Sequence, residues 1–151
     1  MWTILPDTSG VISTFCAPPT AYRLLVLENL RHYHLAALRH CIGAGEPLNP
    51  EVIEAWQRGT GQIIRDGYGQ TETVILVANF PPLPVKPGSM GKPSPGLTIG
   101  IVDDDGREVP AGTEGDIAVK LTPIRPVGLF KEYWRNPEAT SNDPEASTRA
   151  L

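Results

Sequence analysis

Hydrophobic and polar positions divide the chain into two patterns. In GVISTFCAPPTAYRLLVLENL, residues 10–30, a β-branched run reaches Pro18 and Pro19 and then gives way to an apolar stretch. This predicts a short strand followed by a helix carrying Leu24, Leu25, Leu27 and Leu30. LRHCIGAGEPLNPEVIEAWQRGTG, residues 38–61, repeats the order: Cys41 and Ile42 lead into a Gly-rich turn, then Asn49 offers an N-cap and Pro50 a first helical position. Val52, Ile53 and Trp56 share one face of that helix, and Gly59 is the expected stop. QIIRD, residues 62–66, reads as a third strand. Strand and helix in alternation predict a partial parallel α/β layer, with the loops that follow the strands on one rim, where open sheets hold ligands.

Past residue 80 the period changes. NFPPLPVKPGSMGKPSPG is a Pro/Gly connector, after which Leu97, Ile99 and Ile101, then Ile117, Val119 and Leu121, alternate with polar residues. Asp105-Gly106 is a hairpin-type dipeptide, so a small antiparallel β element is expected. The resulting organisation is an α/β subdomain over 1–80, a connector over 81–96, a small β subdomain over 97–135, and a polar, aperiodic tail over 136–151 that is expected to fray.

Composition narrows the function. With 151 residues, 40% hydrophobic and 20% charged, the chain lies in the globular range, and its 16 Pro and 15 Gly disfavour a helical bundle. A net charge of -4 without a basic stripe argues against nucleic acid as a partner. No stretch approaches the ~18 apolar residues of a membrane span, and MWTILPDTSG has no positively charged leader pattern. Cys16 and Cys41 are too few for a disulfide framework and read as small buried thiols, which together give a soluble intracellular reading.

DGYGQTETV, residues 66–74, carries the most chemistry. Gly67 and Gly69 would let a phosphate approach the backbone, Tyr68 has a flat face for a purine, Thr71 a hydroxyl donor, and Glu72 a hard oxygen for magnesium. A nucleotide monophosphate with its metal fits those residues; so does a Gly-rich turn with a solvated glutamate. GAGEPLNP, residues 43–50, could admit a base or an acyl chain, or be a tight turn before a capped helix. KPGSMGKPSPG misses the Walker spacing, with Pro93 where a hydroxyl and helix start belong. His32, His34 and His40 lack metal-ligand spacing, and Ser9 and Ser13 lack a nucleophile-elbow context.

Taken in order, AGEPLNPEV, DGYGQTETV, KPGSMGKPSPG, VPAGTEGDIAV and RPVGLFKEYWRNPEAT resemble the adenylate-forming, AMP-binding superfamily, most closely its medium-chain acyl-CoA synthetases, over residues 11 to 140. The resemblance implies ATP-dependent activation of a fatty acid to an acyl-adenylate, followed by transfer to coenzyme A. It implies that Gly45, Glu46 and Pro47 border the adenine, that Asp66, Gly67, Tyr68 and Gly69 form the nucleotide wall with Tyr68 against the base, and that Gln70 also binds the nucleotide. It also implies that Thr71 meets the α-phosphate, Glu72 binds Mg2+, Thr71 and Glu72 act catalytically, and Gly43 and Ala44 lie near the acyl group.

The family's Ser/Thr/Gly-rich phosphate loop is not found in MWTILPDTSGVISTF, and its ribose-binding aspartate and C-terminal lysine domain do not follow YWRNPEAT. The chain therefore reads as an internal piece of the large N-terminal domain, its missing remainder being the implied partner. Alone it is expected to have little ligase activity. A truncated binding or interaction module, and an adenylation unit loading a carrier-protein thiol, are the alternative readings. The nearest members of the family imply a mitochondrial matrix or cytoplasmic location.

Overall fold

The computed structural model describes residues 12–142, and the chain divides into two compact units, Met1–Tyr68 with Val77–Lys92 and Gly69–Leu76 with Pro93–Leu151. In the first, β1 (Thr14–Ala17), α1 (Pro19–Leu25), β2 (His40–Gly43), α2 (Pro50–Thr60) and the beginning of β3 (Ile64–Gln70) follow the predicted order. Each helix carries the chain back before the next strand, so β1 pairs with β2 and β2 with β3 in parallel, with Phe15 opposite Cys41 and Gly43 opposite Asp66. β4 (Val74–Ala78) and the two-residue β5 (Lys92–Pro93) complete a strand order of β1-β2-β3-β4-β5.

The core of this unit is built on three rings. Trp56 meets Tyr22 edge-on with centroids 5.0 Å apart, Tyr22 meets Phe15 edge-on at 5.4 Å, and Phe15 stacks on Trp56 at 6.0 Å. Such pairs add about 0.5–1.5 kcal/mol each beyond the area they bury. Their polar ends are satisfied: the Trp56 indole N–H donates to Cys41 Sγ at 3.3 Å, and the Tyr22 hydroxyl lies 3.1 Å from the carbonyls of both Phe15 and Ile42. That hydroxyl thus ties α1 to both β1 and β2. Burial pushes the Tyr22 phenol and the Cys41 thiol above their ordinary pKa values, so Cys41 is an inert core thiol. Cys16 points the other way and is exposed, contrary to the buried-thiol expectation.

The helix boundaries correct the sequence reading. α1 stops at Leu25, where Leu27 and Glu28 donate to carbonyls three residues back, and Leu24 and Leu27 are 60% and 80% exposed. Leu30 belongs instead to a separate 3-10 turn, Leu30–His32, and is buried. Asn49 occupies the predicted N-cap position of α2 but makes no side-chain capping bond. Gly59 lies inside α2 rather than ending it, and is bare because a Cβ there would sit 2.8 Å from Leu30 Cβ; the stop is Gly61, with φ +76° and its N–H on the Gln57 carbonyl.

In the second unit β6 (Ile99–Val102) pairs antiparallel with β7 (Asp116–Val119), Ile99 opposite Val119 and Ile101 opposite Ile117. Asp103–Arg107 closes a tight turn in which Asp103 Oδ1 accepts from the amides of Asp105 and Arg107, and Gly106 takes φ +78°. This returns the chain only to a single bridge between Val102 and Glu108, so β7 is reached after a further turn, not directly across Asp105-Gly106. Both faces of this ribbon contribute buried residues. Val119 lies on the predicted face and Val102 and Ala118 on the other, while Ile101 stays 38% exposed. A short helix, α3 (Pro137–Asn142), forms where the sequence showed no period; Asn136 Oδ1 accepts the Ala139 N–H at its start, and Pro137 is its first residue.

Candidate functional site

Residues 66–74 were expected to form a loop after the third strand, but they are a strand and a turn. β3 continues through Gln70, Thr71–Thr73 reverse the chain, and β4 begins at Val74. The glycines have a steric reason to be there that precedes any ligand. A Cβ at Gly67 would lie 3.2 Å from the Ala78 side chain, and one at Gly69 would lie 1.8 Å from the Val74 carbonyl oxygen. The returning strand needs the space a side chain would take. Asp66, Thr73 and Asn79, the buried polar residues among those described, all belong to this hairpin or its immediate exit.

Within the first unit, the structure brings Gly43 and Asp66 together at the rim of the parallel strands. A Cβ on Gly43 would come 3.2 Å from Leu48 Cδ2 and 3.3 Å from Ile64 Cγ2, so glycine leaves room for those two side chains beside Asp66. Asp66 Oδ1 accepts the Gly67 N–H at 2.9 Å, but burial dominates and raises its carboxyl pKa. Because its folded pKa lies above its unfolded one, Asp66 favours the fold most at low pH and gives up that contribution as pH rises through the folded value. The Asp66 carbonyl accepts from both the backbone and the side-chain nitrogen of Asn79, whose amide also donates to the Ser89 carbonyl at 2.7 Å. Arg65 gathers the carbonyls of Phe80, Pro81 and Leu83. Neither residue stood out in the sequence, although a lone cation within a strand and an asparagine between VILVA and Pro-Pro were the available signals.

Gly43 ends β2, and Ala44, Gly45, Glu46 and Pro47 lead out of it, with Gly45 at φ +94°. Glu46 has a partner of its own: its Oε2 accepts from Thr20 Oγ1 at 2.7 Å and from the Arg23 guanidinium at 2.9 Å, fastening this turn to α1. The Thr20 hydroxyl, with Arg23 behind it, holds the Glu46 carboxyl below its ordinary pKa. A depressed carboxylate contributes stability above its unfolded pKa and loses it as pH falls through the folded value. Thr20→Ala should therefore raise the Glu46 carboxyl pKa measured by NMR titration; an unchanged titration would mean Arg23 alone sets it. Leu30, Arg31, Arg58 and Gly59 line a hollow of about 320 Å³ that includes none of the motif residues.

Gly69, Gln70, Thr71 and Glu72 fall in the second unit. Thr73 closes their turn twice: its N–H donates to the Gln70 carbonyl, and its Oγ1 accepts the Gln70 N–H at 3.0 Å while donating to the Val74 carbonyl. Val74 leaves the turn with φ +58°, a left-handed conformation that costs a β-branched residue roughly 1–3 kcal/mol. Thr71 is exposed and Glu72 half-buried. The Phe130 N–H donates to the Glu72 carbonyl at 2.9 Å, and the Tyr133 hydroxyl donates to Glu72 Oε1 at 3.0 Å. Glu72 Oε2 is unengaged among the described residues. No group of three or more His, Cys, Asp or Glu side chains converges among them, and His32, His34 and His40 are exposed. One carboxylate is still enough for magnesium, which keeps several waters and takes its remaining ligands from substrate phosphates. Glu72 fits that donor set.

The architecture matches the fold of solved adenylate-forming enzymes. Its mixed sheet and helices match the crystal structure of the anthranilate CoA ligase AuaEII in complex with anthranoyl-AMP, with a TM-score of 0.73 and 36% identity over 83% of this chain and 24% of that one. The AMP-binding enzyme family matches residues 9–134, and the chain belongs to it. It is 51% identical to the mitochondrial acyl-coenzyme A synthetase ACSM3 of Rattus norvegicus, over 87% of this chain and 23% of the relative. It is 48% identical to the mitochondrial acyl-coenzyme A synthetase ACSM5 of Homo sapiens, over 86% of this chain and 22% of the relative. The chain thus spans less than a quarter of the length of these relatives. No helix among the described residues is long and apolar enough to cross a membrane.

Proposed function

We propose that this chain is the adenylate-holding part of an acyl-CoA synthetase, which activates a medium-chain fatty acid with ATP and passes the acyl group to coenzyme A. The observation that carries the reading is the Thr71-Glu72 turn, where an exposed hydroxyl and an oriented carboxylate stand side by side at the end of a glycine-bearing strand. Thr71 donates to the α-phosphate and Glu72 holds Mg2+. A bound magnesium ion supplies positive charge where negative charge builds on the phosphoryl oxygens. Tyr68, with Asp66, Gly67, Gly69 and Gln70, forms the wall of the nucleotide site. Gly43 and Ala44 border the acyl group, and Gly45, Glu46 and Pro47 the adenine. Since Glu46 is engaged by Thr20 and Arg23, this turn meets the base through its backbone.

The open side of the strands supports the reading of the chain as part of a larger domain. Thr14, Cys16, His40 and Ile42 are exposed on one face of β1 and β2, whereas parallel sheets are ordinarily covered on both. Its partner there is the remainder of the synthetase. The mitochondrial names of its relatives favour the matrix as its location.

The reading is tested by titrating ATP into the chain in EDTA and again with Mn2+, the ratio of affinities being the metal-dependent gain. Glu72→Gln should reduce that gain about 30-fold, equivalent to about 2 kcal/mol. A gain unchanged by this substitution would remove Glu72 from the metal site.

A further inference from the structure

We propose that Tyr133 is a positioning residue for Glu72, fixing the carboxylate for its cation without neutralising it. The proposal rests on the reading of Glu72 as the cation ligand and adds to it a residue 61 positions further along the chain. A glutamate side chain with no fixed partner samples several rotamers, and a cation that meets it through only one of them is bound more weakly. Here two donors from one short segment fix it: the Phe130 N–H holds the Glu72 carbonyl at 2.9 Å, and the Tyr133 hydroxyl holds Oε1 at 3.0 Å. One fastens the backbone and the other the side chain.

Tyr133 can do this because it is itself held on several sides. Its N–H donates to Thr140 Oγ1 at 2.9 Å, its carbonyl accepts from the Asn136 amide at 3.1 Å, and its ring stands edge-on to Phe130 with centroids 4.9 Å apart. Asn136 in turn starts α3, so the short helix anchors the tyrosine's backbone. The donor type also matters. A lysine or arginine in this place would fix the carboxylate equally well and compete with the cation for its charge. A neutral phenol orients Oε1, leaves the negative charge whole, and leaves Oε2 for the metal, as outer partners of metal-binding carboxylates commonly do.

The test uses the full chain, ATP, and Mn2+ as a paramagnetic stand-in for magnesium. Tyr133→Phe keeps the ring beside Phe130 and removes only the hydroxyl. It is expected to reduce the Mn2+-dependent gain in ATP affinity about tenfold, with ATP affinity in EDTA and the thermal midpoint unchanged. In the wild-type chain, Mn2+ with ATP should selectively broaden the Tyr133 ring resonances, a readout that requires no variant to fold. If Tyr133→Phe keeps the gain while Glu72→Gln loses it, the tyrosine has no positioning role and Glu72 remains the ligand. Equal losses with Mn2+ and in EDTA would likewise reduce Tyr133 to a structural residue. Should Glu72→Gln also keep the gain, or the wild type show none, the reading of Glu72 falls and this proposal with it.

Discussion

Trp56→Ala is expected to destabilise the first unit by about 3–5 kcal/mol, the cost of truncating a buried aromatic side chain. Domains of this size are stable by only about 5–15 kcal/mol, so the urea midpoint followed by near-ultraviolet circular dichroism should fall by about a fifth or more of its value, on the order of a molar unit or greater. The indole is 4% exposed and contacts two other rings, and its N–H is the donor to Cys41 Sγ. Its loss leaves a cavity next to β1 and β2 and removes the face on which α2 docks. Trp134, by contrast, is 84% exposed, and its replacement by alanine is expected to shift stability by no more than about 0.5 kcal/mol. Equal midpoints for the two variants would show that the three-ring cluster is not the core of this unit.

Gly69→Ala is the second large effect, with an expected cost of about 3 kcal/mol, at the upper end for overpacking. A methyl group there would overlap the Val74 carbonyl oxygen at 1.8 Å, and the carbon of that carbonyl at 2.7 Å, both of them backbone atoms that cannot rotate away. The turn would have to open, drawing the Gln70 and Thr73 bonds apart and moving Thr71 and Glu72 with them. Gly96→Ala is the control: φ is +87° but nothing lies within 4 Å, so only backbone strain of about 1 kcal/mol is at stake. An unfolding midpoint for Gly69→Ala no lower than that of Gly96→Ala would mean that the hairpin does not close on this glycine.

Much of the α/β unit was legible in the sequence, because its helices and strands are specified by neighbours a few residues apart. Val52, Ile53 and Trp56 at helical spacing, and Pro50 after Asn49, sufficed to place α2. What failed was governed by distance along the chain. Nothing local shows that Gly59 must be bare to admit Leu30, so it read as a helix stop. Nothing local shows that Gly67 and Gly69 face a returning strand, so a hairpin read as a loop. In the β ribbon, burial on both faces blurred the period-two signal, and Val102 and Ala118 were missed. The candidate site residues were named from residue type and order alone, whereas the contacts of Tyr133, Phe130 and Asn79 follow no spacing rule.

The long span between Glu72 and Tyr133 also sets an order of events during synthesis. At about 5–20 residues per second, a ribosome releases Tyr133 roughly 3–12 s after Glu72. In that interval the turn is closed only by its own Thr73 bonds, and the carboxylate has no hydroxyl to face. The parallel strands and their helices are already out by then, and their pairings join residues closer along the chain than Glu72 and Tyr133. The glutamate acquires its orientation late, when the last described stretch of the chain arrives.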